Sequence, residues 1–167
     1  MGAAESRCEK SKKGETAMIK ATFSMQDNTG QFKAAMDAAL DAACEEIGQE
    51  CEDYIKMVTP VGTPESTGID GYHGGELRNS ITHVTKNEGT EHKAIVGTNK
   101  YYAAYVELGT GKYAANGNGR KTPWAWTDKN GDVHFTHGMK PRHFVKNGIT
   151  NAQPTFQGII EKHLKGQ

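Results

Sequence analysis

Gly109-Thr110-Gly111-Lys112 is the stretch that most invites a chemical reading, because closely spaced glycines ahead of a lysine are what a phosphate-binding loop needs. It lies in YVELGTGKYAANGNGRKTPWAW, Tyr105 to Trp126. A Walker loop requires GxxxxGK followed by Ser or Thr, whose hydroxyl holds magnesium; here Val106 stands where the first glycine belongs and Tyr113 follows Lys112. Gly109 to Ala114 does satisfy GxGxxA, but that fingerprint leaves a strand and opens a helix. This one leaves a predicted helix and enters a Gly-Asn loop, so neither nucleotide reading holds.

Other reactive residues form no catalytic pattern. His134, His137 and His143 come without a cysteine pair or a carboxylate-histidine helix motif and read as exposed strand and turn residues, not metal ligands. No GxSxG elbow occurs, and the position of Cys44 on a predicted helix implies a buried, inert thiol. Cys44 and Cys51 are too far apart along that helix to bridge, so both read as reduced core thiols. A hydrolase whose site is scattered through the sequence is the weakest of the functional readings. Lys112, Arg120 and Lys121, interleaved with Tyr113, Trp124 and Trp126, are the residue types that grip nucleic-acid backbones and stack on bases. The plainer account is that the aromatics pack while the bases stay solvated, since no known nucleic-acid module surrounds them.

The elements that must position these residues are read from periodicity. Met1 to Ala17 is charged and small, without periodicity, and is expected to be a disordered arm or a non-native extension, with Met18 an alternative start. Met1-Gly2 with Ser6 matches a myristoylation pattern only loosely. MIKATFSM, Met18 to Met25, alternates as a strand. After the turn at Asp27 to Gly30, apolar residues from Phe32 to Val58 recur at helical spacing, and Thr59-Pro60 stops the helix. Its other face is acidic: Asp37, Asp41, Glu45, Glu46, Glu50, Glu52 and Asp53. Residues 62–75 and 109–122 are expected to be flexible loops. Ile81 to Thr85 pairs with Lys93 to Gly97 as one hairpin, and Trp124 to Thr127 with Val133 to Thr136 as another, around Asn130-Gly131. A short helix spans Tyr101 to Leu108, and Pro141 opens a helical region that breaks near Pro154 and ends at Leu164.

The sum is one α+β domain over 18–167: a mixed, mainly antiparallel sheet packed against a long N-terminal helix and a C-terminal helix, with long loops. The chain has 167 residues and a formal net charge of zero, so no global field favours nucleic acid. It has no apolar run long enough for a membrane and no secretory segment, as for a protein made in a reducing cytoplasm. Its charge is nevertheless polarised. The long helix carries the seven acids named above against Lys33 and Lys56, whereas Gly109 to Lys146 holds seven bases against Asp128 and Asp132. Those regions are expected to attract one another, within one chain or head-to-tail between copies.

An ordered set of motifs carries a resemblance. Thr59-Pro60-Val61 comes first, then Gly75-Glu76-Leu77-Arg78-Asn79-Ser80-Ile81, then Val96-Gly97-Thr98. Tyr102-Ala103-Ala104-Tyr105-Val106-Glu107-Leu108-Gly109-Thr110, Pro123-Trp124 and Gly138 to Phe144 follow. In this order they resemble the head-tail joining or tail-completion (neck, minor tail, tail-terminator) proteins of siphovirus-type bacteriophages and prophages, over Met18 to Leu164. Gly62 to Gly74 departs from that pattern as an insertion, and the arm before Met18 is extra. The resemblance implies a non-enzymatic structural protein that uses no cofactor or metal. It implies a homo-oligomeric ring, a hexamer, at the junction of head and tail in the virion. The partners implied are connector or neck proteins and the tail tube protein, the chain being made in the host bacterial cytoplasm. Tyr102, Tyr105, Glu107, Lys112, Arg120, Lys121, Trp124 and Trp126 are the expected interface positions, with nucleic-acid binding by the basic aromatic loop 112–126 as the alternative.

Overall fold

The computed structural model describes residues 27–64, 73–128 and 130–165. The strand expected at Met18 to Met25 and the arm before it lie outside the described residues, as does most of the 62–75 loop.

Helix α1, Thr29–Val58, runs 30 residues, about 45 Å at 1.5 Å per residue, and is the spine of the molecule. At its start the Asp27 carboxylate accepts the Thr29 amide at 2.9 Å, satisfying a backbone donor that has no partner inside the helix. At its end Thr59 turns to extended backbone ahead of Pro60, and the Thr59 hydroxyl donates to the Ile55 carbonyl at 2.6 Å. The short helix α2, Glu76–Asn79, leads into hairpin β1, Ile81–Asn87, and β2, His92–Thr98, paired antiparallel with Ile81 opposite Thr98. Helix α3, Ala103–Leu108, stops at Gly109, and a single 3-10 turn, Gly111–Tyr113, follows. A second hairpin pairs β3, Trp124–Thr127, with β4, Val133–Thr136, Trp124 lying opposite Thr136. Helices α4, Phe144–Ala152, and α5, Phe156–Leu164, close the chain with a 3-10 turn between them at Gln153–Thr155.

The α+β class expected from sequence is the class observed, and every strand pairing among the described residues is antiparallel. The strands are divided between two two-stranded sheets, and β1–β2 is the one that lies on α1, which also packs against α4 and α5. The core sits where the C-terminal half of α1 meets α2, β1, α3 and α4: Ile55, Leu77, Ile81, Ala103 and Phe144 are buried, with Val58, Val96, Val106 and Val145 packed around them. Pro141 does not open the last helical region. His143 adopts a left-handed conformation (φ 50°), which a helix cannot contain, so α4 begins only at Phe144.

The acidic side of α1 receives polar side chains of the first hairpin. Period-two alternation turns Ile81, His83, Thr85 and Asn87 inward from β1, and three of the four meet carboxylates of α1. Glu52 is buried in that seam. At the other flank Glu46 accepts from Lys162 at 2.8 Å and meets His163 at 2.7 Å, tying α5 to α1.

Candidate functional site

The glycine-rich stretch is built for backbone contact. The Thr110 amide donates to the Met139 carbonyl at 2.8 Å and the Lys112 amide to the His137 carbonyl at 3.0 Å. In return the Met139 amide donates to the Thr110 hydroxyl at 2.9 Å. Two amides that a phosphate cradle would leave free are therefore consumed by the chain itself. The glycines permit this closeness: a Cβ at Gly111 would lie 2.1 Å from the His137 carbonyl oxygen, and one at Gly138 would lie 2.1 Å from that of Thr110. Both also have positive φ, 59° and 107°.

Around this knot stand the residues singled out from sequence. Tyr102 packs on the core, its ring edge-on to exposed Tyr101 at 5.7 Å, while Tyr105 points outward and is 57% exposed. Tyr105 and Leu108 border a shallow depression whose far rim is Ala114, Asn116, Asn118 and Gly119. Lys112, Arg120 and Lys121 are exposed. Lys112 and Lys140 lie over the Tyr113 ring, at 4.9 and 6.0 Å from its centre, and Arg120 lies 5.8 Å from Trp124. Trp126 stacks on His134 at 4.7 Å, and His134 is held by Asp128 at 3.0 Å. That contact, together with the amides of Asp132 and Asn130, holds the Asp128 carboxyl below its usual range. The β3–β4 hairpin carries Phe135 at 78% and Val133 at 59% exposure, a large apolar surface for so short an element.

Glu107 is different. Its carboxylate turns inward and accepts the amides of Val145 at 2.9 Å and Lys146 at 3.3 Å, the first-turn donors of α4. Its backbone carbonyl accepts His143 at 3.2 Å, beside an Arg142 to Val106 bond at 2.9 Å. Glu107 therefore caps α4 from another element and supports the exposed surface from beneath it.

Sequence reasoning did not single out His83, His92, Lys162 and His163, each of which meets a carboxylate of α1. The alternation that places Ile81 inward places His83 inward too, and that was the available signal. The two described thiols, Cys44 and Cys51, are free; Cys51 is buried as expected, whereas Cys44 is only half-buried, and burial raises the pKa of each above its ordinary value. Among the described residues no helix is long and apolar enough to cross a membrane.

A helix-and-sheet body thus carries an exposed hairpin and an exposed basic, aromatic loop. Residues 23–109, more than half of the chain, match the family described as "Bacteriophage HK97-gp10, putative tail-component", and the chain belongs to that family. It is thus a phage tail component, a structural protein of the virion that interacts with other phage proteins. The match spans α1, β1–β2 and α3 and stops at Gly109, before the basic loop. No curated protein and no solved structure matches the chain.

Proposed function

We propose that this chain is a non-enzymatic subunit of a homo-oligomeric ring at the head-tail junction of the phage, completing the tail or joining it to the head. The observation that carries the proposal is charge left without a partner inside one copy. Among the described residues, Lys112, Arg120, Lys121, Lys140, Arg142 and Lys146 form no ion pair. Among the described residues of α1 and its neighbours, Glu50 and Asp53 have no cationic partner, and histidines are the only basic side chains that pair with Asp37, Asp41 and Glu45. Opposite charges on different surfaces of one molecule favour a head-to-tail contact between copies, and such a contact gives a ring when its rotation closes. Six copies, with connector or neck proteins on one side and the tail tube protein on the other, are the arrangement the family resemblance favours. Tyr105, Lys112, Arg120, Lys121 and Trp126 would line the contact, with Tyr102, Trp124 and Glu107 holding them in place.

Nucleic-acid binding by residues 112–126 has less support, because the ring faces of Tyr113, Trp124 and Trp126 are already engaged by Lys112 and Lys140, Arg120 and His134. Steep loss of DNA affinity with rising salt would favour it, and no affinity at low salt would exclude it. The joining role is tested by electron microscopy of particles assembled without this chain. Separate heads and tails are expected; stable, intact head-tail particles would refute the proposal.

A further inference from the structure

The His83 imidazole lies against α1 at Gly48, where the helix has no side chain. Glu45, Gly48 and Glu52 share one helix face by their spacing of three and four residues. Gly48 supplies the floor: a Cβ there would lie 2.6 Å from the imidazole Cδ2. Nδ1 meets the Glu52 carboxylate at 2.6 Å and Nε2 meets Glu45 at 3.2 Å, so both ring nitrogens point at carboxylates. The His83 amide also donates to Glu52 at 2.9 Å. The other groups at the site are Lys56, which pairs with Glu52, and the Thr85 hydroxyl, which donates to Glu45 at 3.0 Å. Strand β2 places Val96 opposite His83; further along it His92 meets Asp41 at 2.7 Å and Asp37 at 3.7 Å.

A neutral imidazole donates from one nitrogen only, and its other nitrogen would then turn a lone pair toward a carboxylate. Only the imidazolium satisfies both contacts. We propose that His83 is a proton-dependent clamp that fastens the β1–β2 hairpin to α1, closed when the ring is charged and loosened when it is neutral.

The electrostatics agree with this geometry. The hydrogen bond to Glu52 raises the pKa of His83 above its ordinary value; burial opposes the rise and Glu45 adds to it. Burial pushes the Glu52 carboxyl up, but the bonds from Lys56 and His83 outweigh it and leave Glu52 below its usual range. These are two sides of one interaction. A raised histidine contributes stability that is complete below its unfolded value, about 6.5, and is lost as pH rises through the folded one. A lowered carboxylate contributes stability that is lost as pH falls through its folded value. The clamp is therefore tightest in mildly acidic solution, between the two titrations.

The test is thermal unfolding of the chain and of His83→Gln between about pH 5.5 and about pH 8, together with the NMR titration of His83 in the unmodified chain. The unmodified chain is expected to lose melting temperature across that range, and the variant to lose much less. The His83 midpoint should lie above about 6.5 and fall in Glu45→Gln, which removes the second acceptor but keeps Glu52. An unchanged pH slope in His83→Gln overturns the clamp. If that variant does not fold, the NMR titration decides: a His83 midpoint at or below the ordinary value overturns it, as does a midpoint that ignores Glu45→Gln.

Discussion

Gly148 sits where α4 presses against Ile55 of α1. A Cβ there would lie 2.5 Å from Ile55 Cγ1 and 2.6 Å from the Ile55 Cα, and the second of these atoms is backbone that cannot swing aside. Ile55 is itself one of the largest fully buried side chains, so the helices must part or the core must shift to admit a methyl group. Gly148→Ala is therefore expected to destabilise the fold by roughly 1–3 kcal/mol, the range for overpacking. Gly158 in α5 is the matched control, with nothing within 4 Å of its added Cβ. Gly158→Ala should stabilise by about 0.5–1 kcal/mol, since alanine is the better helix residue where space is free. Denaturant unfolding of both variants checks the pair: equal effects of one sign would mean that contact at Gly148 does not govern the crossing.

At the scale of elements, α3 and α4 are joined by a cap drawn from another part of the chain. Glu107→Ala removes the acceptor of the Val145 and Lys146 amides and is expected to cost about 1 kcal/mol, the usual worth of a helix cap, or about 2–4 °C of melting temperature. Glu107→Gln keeps one acceptor oxygen and should recover part of it, and hydrogen exchange of the Val145 and Lys146 amides should report the loss directly. The elements themselves were largely legible in the sequence. Thr59-Pro60 ended α1, and Asn130-Gly131 set the second hairpin between the strands expected for it, because turn and helix-stop chemistry is local. The contacts between elements were not legible. The start of α4 depended on the left-handed conformation of His143 and on a carboxylate thirty-eight residues away, neither of which a local pattern contains. The partners of the acidic stripe of α1 were not legible because the inward histidines that meet it come from other elements, at separations of 31 and 51 residues. The residues of 109–122 exclude a phosphate loop, but the hydrogen bonds of Thr110 and Lys112 to the 137–139 backbone join distant segments, which no local pattern contains.

For the whole molecule, the bases of one surface and the acids of α1 that lack an ion-pair partner among the described residues make a prediction that a self-complementary dimer would not. Let one variant carry Lys112→Glu, Arg120→Glu and Lys121→Glu, and a second carry Glu50→Lys and Asp53→Lys. If the loop of one copy docks at Glu50 and Asp53 of the next, the first variant presents acids at both contact positions and the second presents bases at both, so neither should assemble alone. Mixed, each presents what the other lacks, and assembly should return with the two alternating around the ring. The contacts are exposed, so assembly should also weaken as salt rises and the Debye length shortens toward a few ångströms. Native mass measurement reads the result, with the virion neighbours added if the unmodified chain needs them to assemble. Variants that assemble alone as well as the unmodified chain, or a mixture that stays apart, would place the contact elsewhere. The same experiment reads ring parity, because strict alternation closes only in a ring with an even number of subunits: a six-membered ring is rescued by the mixture, whereas an odd-numbered one would leave two like surfaces facing each other at the seam.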